Sequence, residues 1–329
     1  MTVFYRFLKS CSLIVSISIG LFCTSFNMAA EQEKTLLLYH SGLEKIESAF
    51  MISLLVELET KFNNRKIKIV NTHDLSIAQL KSQLEETENC ILTLGQLALE
   101  TVLATRDKTP IFSTLVSRTN LDSLANSYAR LGSRVTGIYE EQSFDRQLLL
   151  SQTINPENKN IIVILGRKTR YYLNEYQFIS NKHSVNLIFD ILKQQESSQQ
   201  SLTRLSVDNG FLIILNEDQH YSDQDLQSLL ITSHKLNIPM IGNKVSDSKN
   251  AALASVYTPY ESLAKETAFG LQKVCDKYEL PQAKYGESFA VAINRQIAKS
   301  LKYDTIDANK LSKVILNLEK TAQIVNGKN

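Results

Sequence analysis

The chain has 329 residues, with 36 Lys and Arg against 34 Asp and Glu, four Cys, no Trp and 43% hydrophobic residues. At roughly 100–200 residues per domain this length fits two domains, and a charged fraction of only 21% without a long polar tract excludes wholesale disorder. A net charge of +2 excludes a strongly basic nucleic-acid binder, and four Cys are too few and too widely spaced for a disulfide scaffold or a CxxC zinc site.

Residues 1–30 read as a cleaved secretory signal peptide. Arg6 and Lys9 precede the apolar stretch Cys11–Phe26, and the small pair Ala29-Ala30 stands before the charged Glu31-Gln32-Glu33-Lys34. The apolar stretch is 16 residues long, shorter than the roughly 20 that span a bilayer as a helix. Arg6 and Lys9 also account for the whole positive surplus, so the net charge of 31–329 is zero. Of the four Cys, only Cys90 and Cys275 remain after cleavage. Both sit at apolar positions and read as core thiols, with pairing in an oxidising compartment left open.

Short, continuous apolar runs then recur: Thr35–Tyr39, Ile67–Val70, Cys90–Leu94 and Pro110–Val116, followed by Ile161–Leu165, Val185–Leu192, Gly210–Leu215 and Ile238–Ile241. Continuous rather than alternating runs suit strands buried on both faces of a parallel sheet. Helical stripes lie between them. Ile46, Ala49, Phe50, Leu54 and Leu58 mark one over 44–62, and Leu226, Leu229, Leu230 and Leu236 mark another. A third is Leu263, Ala264, Thr267, Ala268, Leu271, Val274 and Cys275. Ser41-x-x-Glu44 and Ser222-x-x-Asp225 read as capping signatures for the first two.

Strand alternating with helix predicts an α/β fold of two Rossmann-like lobes with parallel sheets joined by a hinge. The polar stretch 117–160 reads as first-lobe edge elements plus a crossing. The runs Leu253–Tyr257 and Ser288–Ile293 follow the eighth strand. The expected division is 31–142 plus about 250–329 for lobe one and about 143–249 for lobe two.

No GxGxxG, GxxxxGK[ST] or HExxH occurs, so no catalytic, cofactor or metal site is expected. Ser288 lies in Gly286-Glu-Ser-Phe-Ala290, which lacks the second Gly of a nucleophile elbow. The informative residues stand at the carboxyl ends of the strands, where open α/β sheets bind ligands. Candidate ligand contacts are Ser41, Gly95, Gln96, Ser117, Arg118, Arg167, Asn216, Asp218, Asn243 and Tyr257. Gly95 permits close backbone approach. Arg118 and Arg167 offer bidentate donors to a carboxylate, and Asp218 offers an acceptor to an amino group.

A succession of motifs carries a family resemblance: Thr109-Pro-Ile-Phe112, Arg134-Val-Thr-Gly-Ile138 with Gln147-Leu-Leu, and Asn160-Ile-Ile-Val-Ile-Leu165. Asn237-Ile-Pro-Met-Ile-Gly242, Tyr260-Glu-Ser-Leu-Ala-Lys265 and Ala292–Leu301 complete it. In this order, over roughly 35–305, the chain resembles the ABC-transporter substrate-binding proteins that include tryptophan and tyrosine uptake components, with a type I periplasmic binding protein fold. It departs from them at Ser117-Arg118-Thr119, where Asp-Pro is usual, and at Gly95-Gln96-Leu97, where a Thr- or Ser-rich loop is usual. The resemblance implies a monomeric periplasmic receptor, not an enzyme. It would close on an amino acid or small organic anion and deliver it to an ABC permease or another inner-membrane protein. A second reading keeps the fold without the ligand, as a periplasmic sensor or interaction module for a membrane signalling protein. A third is a secreted enzyme using Asp218, His220 or Ser288.

Overall fold

A computed structural model describes residues 34–43, 46–85, 90–132, 134–205, 209–217, 223–277 and 280–326. The expected signal peptide, Asp218, His220 and the capping residues Glu44 and Ser222 lie outside the described residues.

The first four apolar runs become β1 (Lys34–His40), β2 (Arg65–Asn71), β3 (Ile91–Leu94) and β4 (Ile111–Val116). A fifth strand, β5 (Val135–Tyr139), lies in the stretch read only as edge elements and a crossing. Together they form a parallel sheet in the order β2-β1-β3-β4-β5. β5 carries Gly137 where a Cβ would collide with the Ser113 carbonyl of β4, so only glycine permits this pairing. One face of the sheet is covered by α1 (Ser48–Lys61), through Phe50, Leu54 and Leu58. The other is covered by α2 (Ile77–Glu85), α3 (Gln96–Ala104) and α4 (Arg118–Ala129), through Leu80, Leu99, Val102 and Leu121.

The second sheet contains β6 (Asn160–Leu165), β7 (Asn186–Ile191), β8 (Phe211–Ile213) and β9 (Met240–Gly242) from the second set of runs. It continues into β10 (Ala254–Tyr257) and β11 (Ala290–Ile293), in the order β11-β10-β9-β8-β6-β7. β11 pairs antiparallel with β10; the other strands are parallel. α5 (Phe144–Ile154), α6 (Leu173–Lys182), α11 (Arg295–Ser300) and α12 (Ala308–Asn326) pack on one face. α7 (Ser198–Leu205), α8 (Asp223–Lys235) and α9 (Val245–Asn250) lie on the other.

The expected return of 250–329 to lobe one is therefore corrected. β10, β11, α11 and α12 belong to lobe two, because β10 finds its hydrogen-bond partners on β9 and β11. The return is made by α10 (Tyr260–Lys277) and the segment around Lys284, which bridges to Ile138. The third apolar stripe is the buried face of α10: Leu263, Ala264, Ala268, Leu271 and Val274 join the core beneath α1. Cys90 and Cys275, both buried, are joined as a disulfide, with Cα atoms 5.1 Å apart. It staples the end of α10 to the start of β3.

The chain thus crosses between lobes in three segments: between β5 and α5, between β10 and α10, and ahead of β11. Gln142 ties them together. Its buried Nε2 donates to Thr258 Oγ1 (2.6 Å), the Ser288 carbonyl (3.2 Å) and the Gly286 carbonyl (3.3 Å). Arg146 braces the same knot, donating to Gln142 Oε1 (2.8 Å) and to the carbonyls of Gly286 (2.8 Å) and Glu287 (2.9 Å).

Candidate functional site between the lobes

A cavity of about 280 Å³ opens between the lobes. From lobe one come Ser41 and Gly42 after β1, Phe50 of α1, Gly95 after β3, Leu115 of β4, Glu140 after β5 and Tyr260 and Leu263 of α10. From lobe two come Lys244, Val245 and Ser246 after β9, and Tyr257 at the end of β10. The wall is largely apolar and aromatic, and its charged groups are Glu47, Glu140 and Lys244.

Backbone conformation shapes this wall at two places. Gly95 has φ 87° and caps α3 without a side chain, so the free N–H groups of the first helical turn begin at the cavity. Leu115 has φ 59°, in the left-handed region that strains a side chain, at a break in the β4–β5 register between Ser113 and Val116. That break turns Leu115 into the cavity.

Lys244 Nζ donates to Glu140 Oε2 at 2.8 Å, joining the two lobes across the cavity. Burial alone would lower the Lys244 pKa, but Glu140, Glu141 and Asp247 outweigh it and raise the value. The ammonium is thus held charged.

A second seam, beside the cavity, is bridged by the chain's own side chains, and Arg118, Asp122, Glu175 and Tyr285 also line a recess of about 580 Å³ there. Arg118 donates to both carboxylate oxygens of Glu175 on α6, at 2.6 and 2.7 Å, and to Tyr285 Oη at 3.0 Å. Its guanidinium lies 4.3 Å from the centre of the Tyr172 ring. Burial works against its charge, yet Glu175 and Tyr285 hold its pKa above the ordinary value. Tyr172 Oη donates across the seam to Asp122 (3.0 Å), and Lys168 Nζ to Asn120 Oδ1.

Three strand-end loops bind the chain's own carboxylates through backbone N–H groups. Glu141 accepts from the Arg118 N–H (2.9 Å), at the start of α4. Glu217 accepts from the N–H groups of Lys168 (3.0 Å) and Thr169 (2.8 Å), and fills the space above Gly166. Asp247 accepts from those of Asn243 (2.9 Å) and Lys244 (3.0 Å). Burial pushes the Glu141 carboxyl up to about 7, against the opposing pull of Lys244 and the Arg118 N–H.

Of the expected contacts, Ser41, Gly95 and Tyr257 line the cavity. The other described ones are held elsewhere. Ser117 caps α4, accepting from the Asn120 N–H. Gln96 donates to Glu100 (2.7 Å) and accepts from Asn120. Arg118 is committed to Glu175, Asn216 donates weakly to Glu141 (3.4 Å), and Asn243 donates to the Ile214 carbonyl (3.2 Å). Arg167 is exposed on a separate recess of lobe two. Residues missed include Glu140 and Lys244, each within two positions of a strand end, Phe50, which helical periodicity assigns to the core, and Tyr260, which enters only through the resemblance motif Tyr260–Lys265.

Two parallel-sheet lobes, three crossings and a cavity at the strand carboxyl ends define a type I periplasmic binding protein fold. The chain belongs to the family described as ABC transporter substrate binding protein, which it matches over residues 35–312. Solved structures share the fold at low identity. A conserved domain protein from Vibrio cholerae is 15% identical, with TM-score 0.56 over 87% of this chain and 98% of that one. A substrate binding protein with adhesive properties from Clostridium difficile, in a ligand-free, open structure, is 14% identical, with TM-score 0.62 over 83% and 96%. An ABC domain in complex with L-Trp from Streptococcus pneumonia is 12% identical, with TM-score 0.55 over 82% and 95%. No curated protein matches the chain significantly.

Proposed function

We propose that this protein is a monomeric periplasmic receptor, exported by a cleaved signal at 1–30, that closes on a small zwitterion with an apolar body and hands it to an ABC permease. The observation that carries the ligand class is the cavity wall. Phe50, Tyr257, Tyr260, Leu94 and Leu263 supply apolar surface. Glu47, with Glu140 once a ligand parts it from Lys244, offers acceptors to an ammonium, while Lys244 and the start of α3 offer donors to a carboxylate. An amino acid with an apolar side chain satisfies all of these at once. A simple organic anion meets two carboxylates and leaves the aromatic wall unused. The Cys90–Cys275 disulfide agrees with an oxidising compartment.

A thermal-shift screen of apolar amino acids against acetate, succinate and acidic amino acids tests the reading. A ligand at 100 times its Kd stabilises the fold by about 2.7 kcal/mol, so a true ligand raises the melting midpoint. Shifts confined to organic anions would remove the zwitterion reading.

One observation favours a second function, a sensor or interaction module for a membrane signalling protein. The seam around Arg118 joins the lobes through the chain's own side chains. On that reading the closed form persists without ligand, and no compound in the screen shifts the midpoint.

A further inference from the structure

A second concave surface lies on lobe two, outside the cavity. It is a recess of about 480 Å³ at the carboxyl ends of β6 and β7, the two strands at one edge of the second sheet. Arg167, Arg170 and Lys193 line it together with Ile191 and Leu192. Among the described residues, no carboxylate lines it. The acidic residues nearest in the chain are engaged elsewhere, Glu175 with Arg118 and Asp190 and Glu196 with Arg204, and Glu217, which packs against Gly166, is held by the N–H groups of Lys168 and Thr169. Among the described residues, Arg167, Arg170 and Lys193 form no ion pair. The exposed Tyr171 lies beside two of these cations, and Arg170 donates to its Oη at 3.4 Å. Its phenol pKa is lowered first by the hydrogen bond from Arg170 and further by the charges of Arg170 and Arg167. The loop that brings Lys193 to the recess is fixed by Gln195, with φ 66°, and by Glu196, whose carboxylate accepts from the Lys193 N–H at 3.0 Å.

Three cations that line one concave site, with only the buried Glu217 carboxylate behind Gly166, attract a compact, multiply charged anion. Two guanidinium forks and an ammonium match the several oxygens of a phosphate group better than the two of one carboxylate. We infer that the recess formed by Arg167, Arg170 and Lys193 is a binding site for a phosphate group, separate from the inter-lobe cavity. This site does not depend on the function proposed for the cavity. Its lining by Ile191 and Leu192 leaves room for a small organic body attached to the phosphate, as in a phosphate monoester.

The test is a titration of the mature chain with inorganic phosphate at pH 7.5, followed by calorimetry or phosphorus NMR. One saturable site is expected, weakened about tenfold or more in the Arg167→Ala/Arg170→Ala double variant, since each arginine supplies charge-assisted hydrogen bonds. Both side chains are exposed, so the variant keeps the wild-type melting midpoint and circular dichroism. A second arm adds vesicles of phosphatidic acid in phosphatidylcholine. Phosphate displaced by these vesicles assigns the site to a lipid headgroup, and phosphate undisturbed by them assigns it to a soluble ester. Absence of saturable binding at millimolar phosphate, or binding that survives in the double variant, would overturn the inference.

Discussion

Arg118, at the start of α4 in lobe one, and Glu175, on α6 in lobe two, form a two-pronged ion pair across the seam beside the cavity, at 2.6 and 2.7 Å. The two residues are 57 positions apart, and neither lobe alone contains the pair. It ties closure of the lobes to the chain's own side chains as well as to a ligand. Closure in such a fold is a shift between two populations, set by contacts that exist only in the closed form.

Arg118→Ala removes those contacts, so the ligand-free protein opens further. Small-angle scattering is expected to give a larger radius of gyration for this variant. Glu175 is partly exposed, so the stability change is modest, about 1–2 kcal/mol. An unchanged radius of gyration would mean that the pair does not control closure.

Gln142 holds the three crossings together, so Gln142→Ala leaves buried carbonyls and the Thr258 hydroxyl without their donor. A loss of about 1–3 kcal/mol is expected in denaturant unfolding. Faster hydrogen exchange should appear around 258 and 286–288 and spare β1 and β6. A uniform increase in exchange throughout the chain would contradict the assignment of Gln142 to the hinge.

Glu141 makes stability depend on pH. Its carboxyl is raised to about 7 by burial, from an ordinary value near 4.5. The contribution is fully present below about pH 4.5 and is lost as pH rises through about 7, because the folded state then holds a buried carboxylate. The linked energy is about 3 kcal/mol. Glu141→Gln should remove this part of the slope between about pH 4.5 and 7. A wild-type slope in the variant would show that Glu141 is not its source.

The disulfide closes a sequence separation of 185 residues. Its reduction, or the Cys90→Ala/Cys275→Ala variant, should cost about 2–5 kcal/mol and release the end of α10 first. The order of loss is read by hydrogen exchange under reducing conditions. Simultaneous loss of both lobes would contradict it.

These tests also separate what the sequence makes legible from what only three dimensions supply. The run Ile161–Leu165 is buried throughout in β6, and the stripe Leu263–Cys275 is the buried face of α10. Continuous burial and helical periodicity are local signals, and both can be read along the chain. β5 is short and contains a glycine required by its neighbour's carbonyl, so its apolar pattern is weak. β10 and β11 read as strands, but which sheet they join depends on long-range hydrogen bonds that leave no local pattern. The same holds at the site. Ser41, Gly95 and Tyr257 follow from strand ends. The diversion of Arg118 to Glu175 does not, nor does the filling of three loops by Glu141, Glu217 and Asp247, because each depends on distant partners. Lys244 and Glu140 become a pair only when β5 and β9 point into one cleft.

Ligand binding in the inter-lobe cavity is measured by calorimetric titration of the mature chain with apolar amino acids, beside a Lys244→Met variant. Saturable binding of one molecule per chain is expected, with a negative heat-capacity change from apolar burial. Affinity should fall about tenfold or more in the variant, which loses a charged partner for the carboxylate. Absence of saturable heat for every amino acid at millimolar concentration would contradict it, as would an affinity that Lys244→Met leaves unchanged.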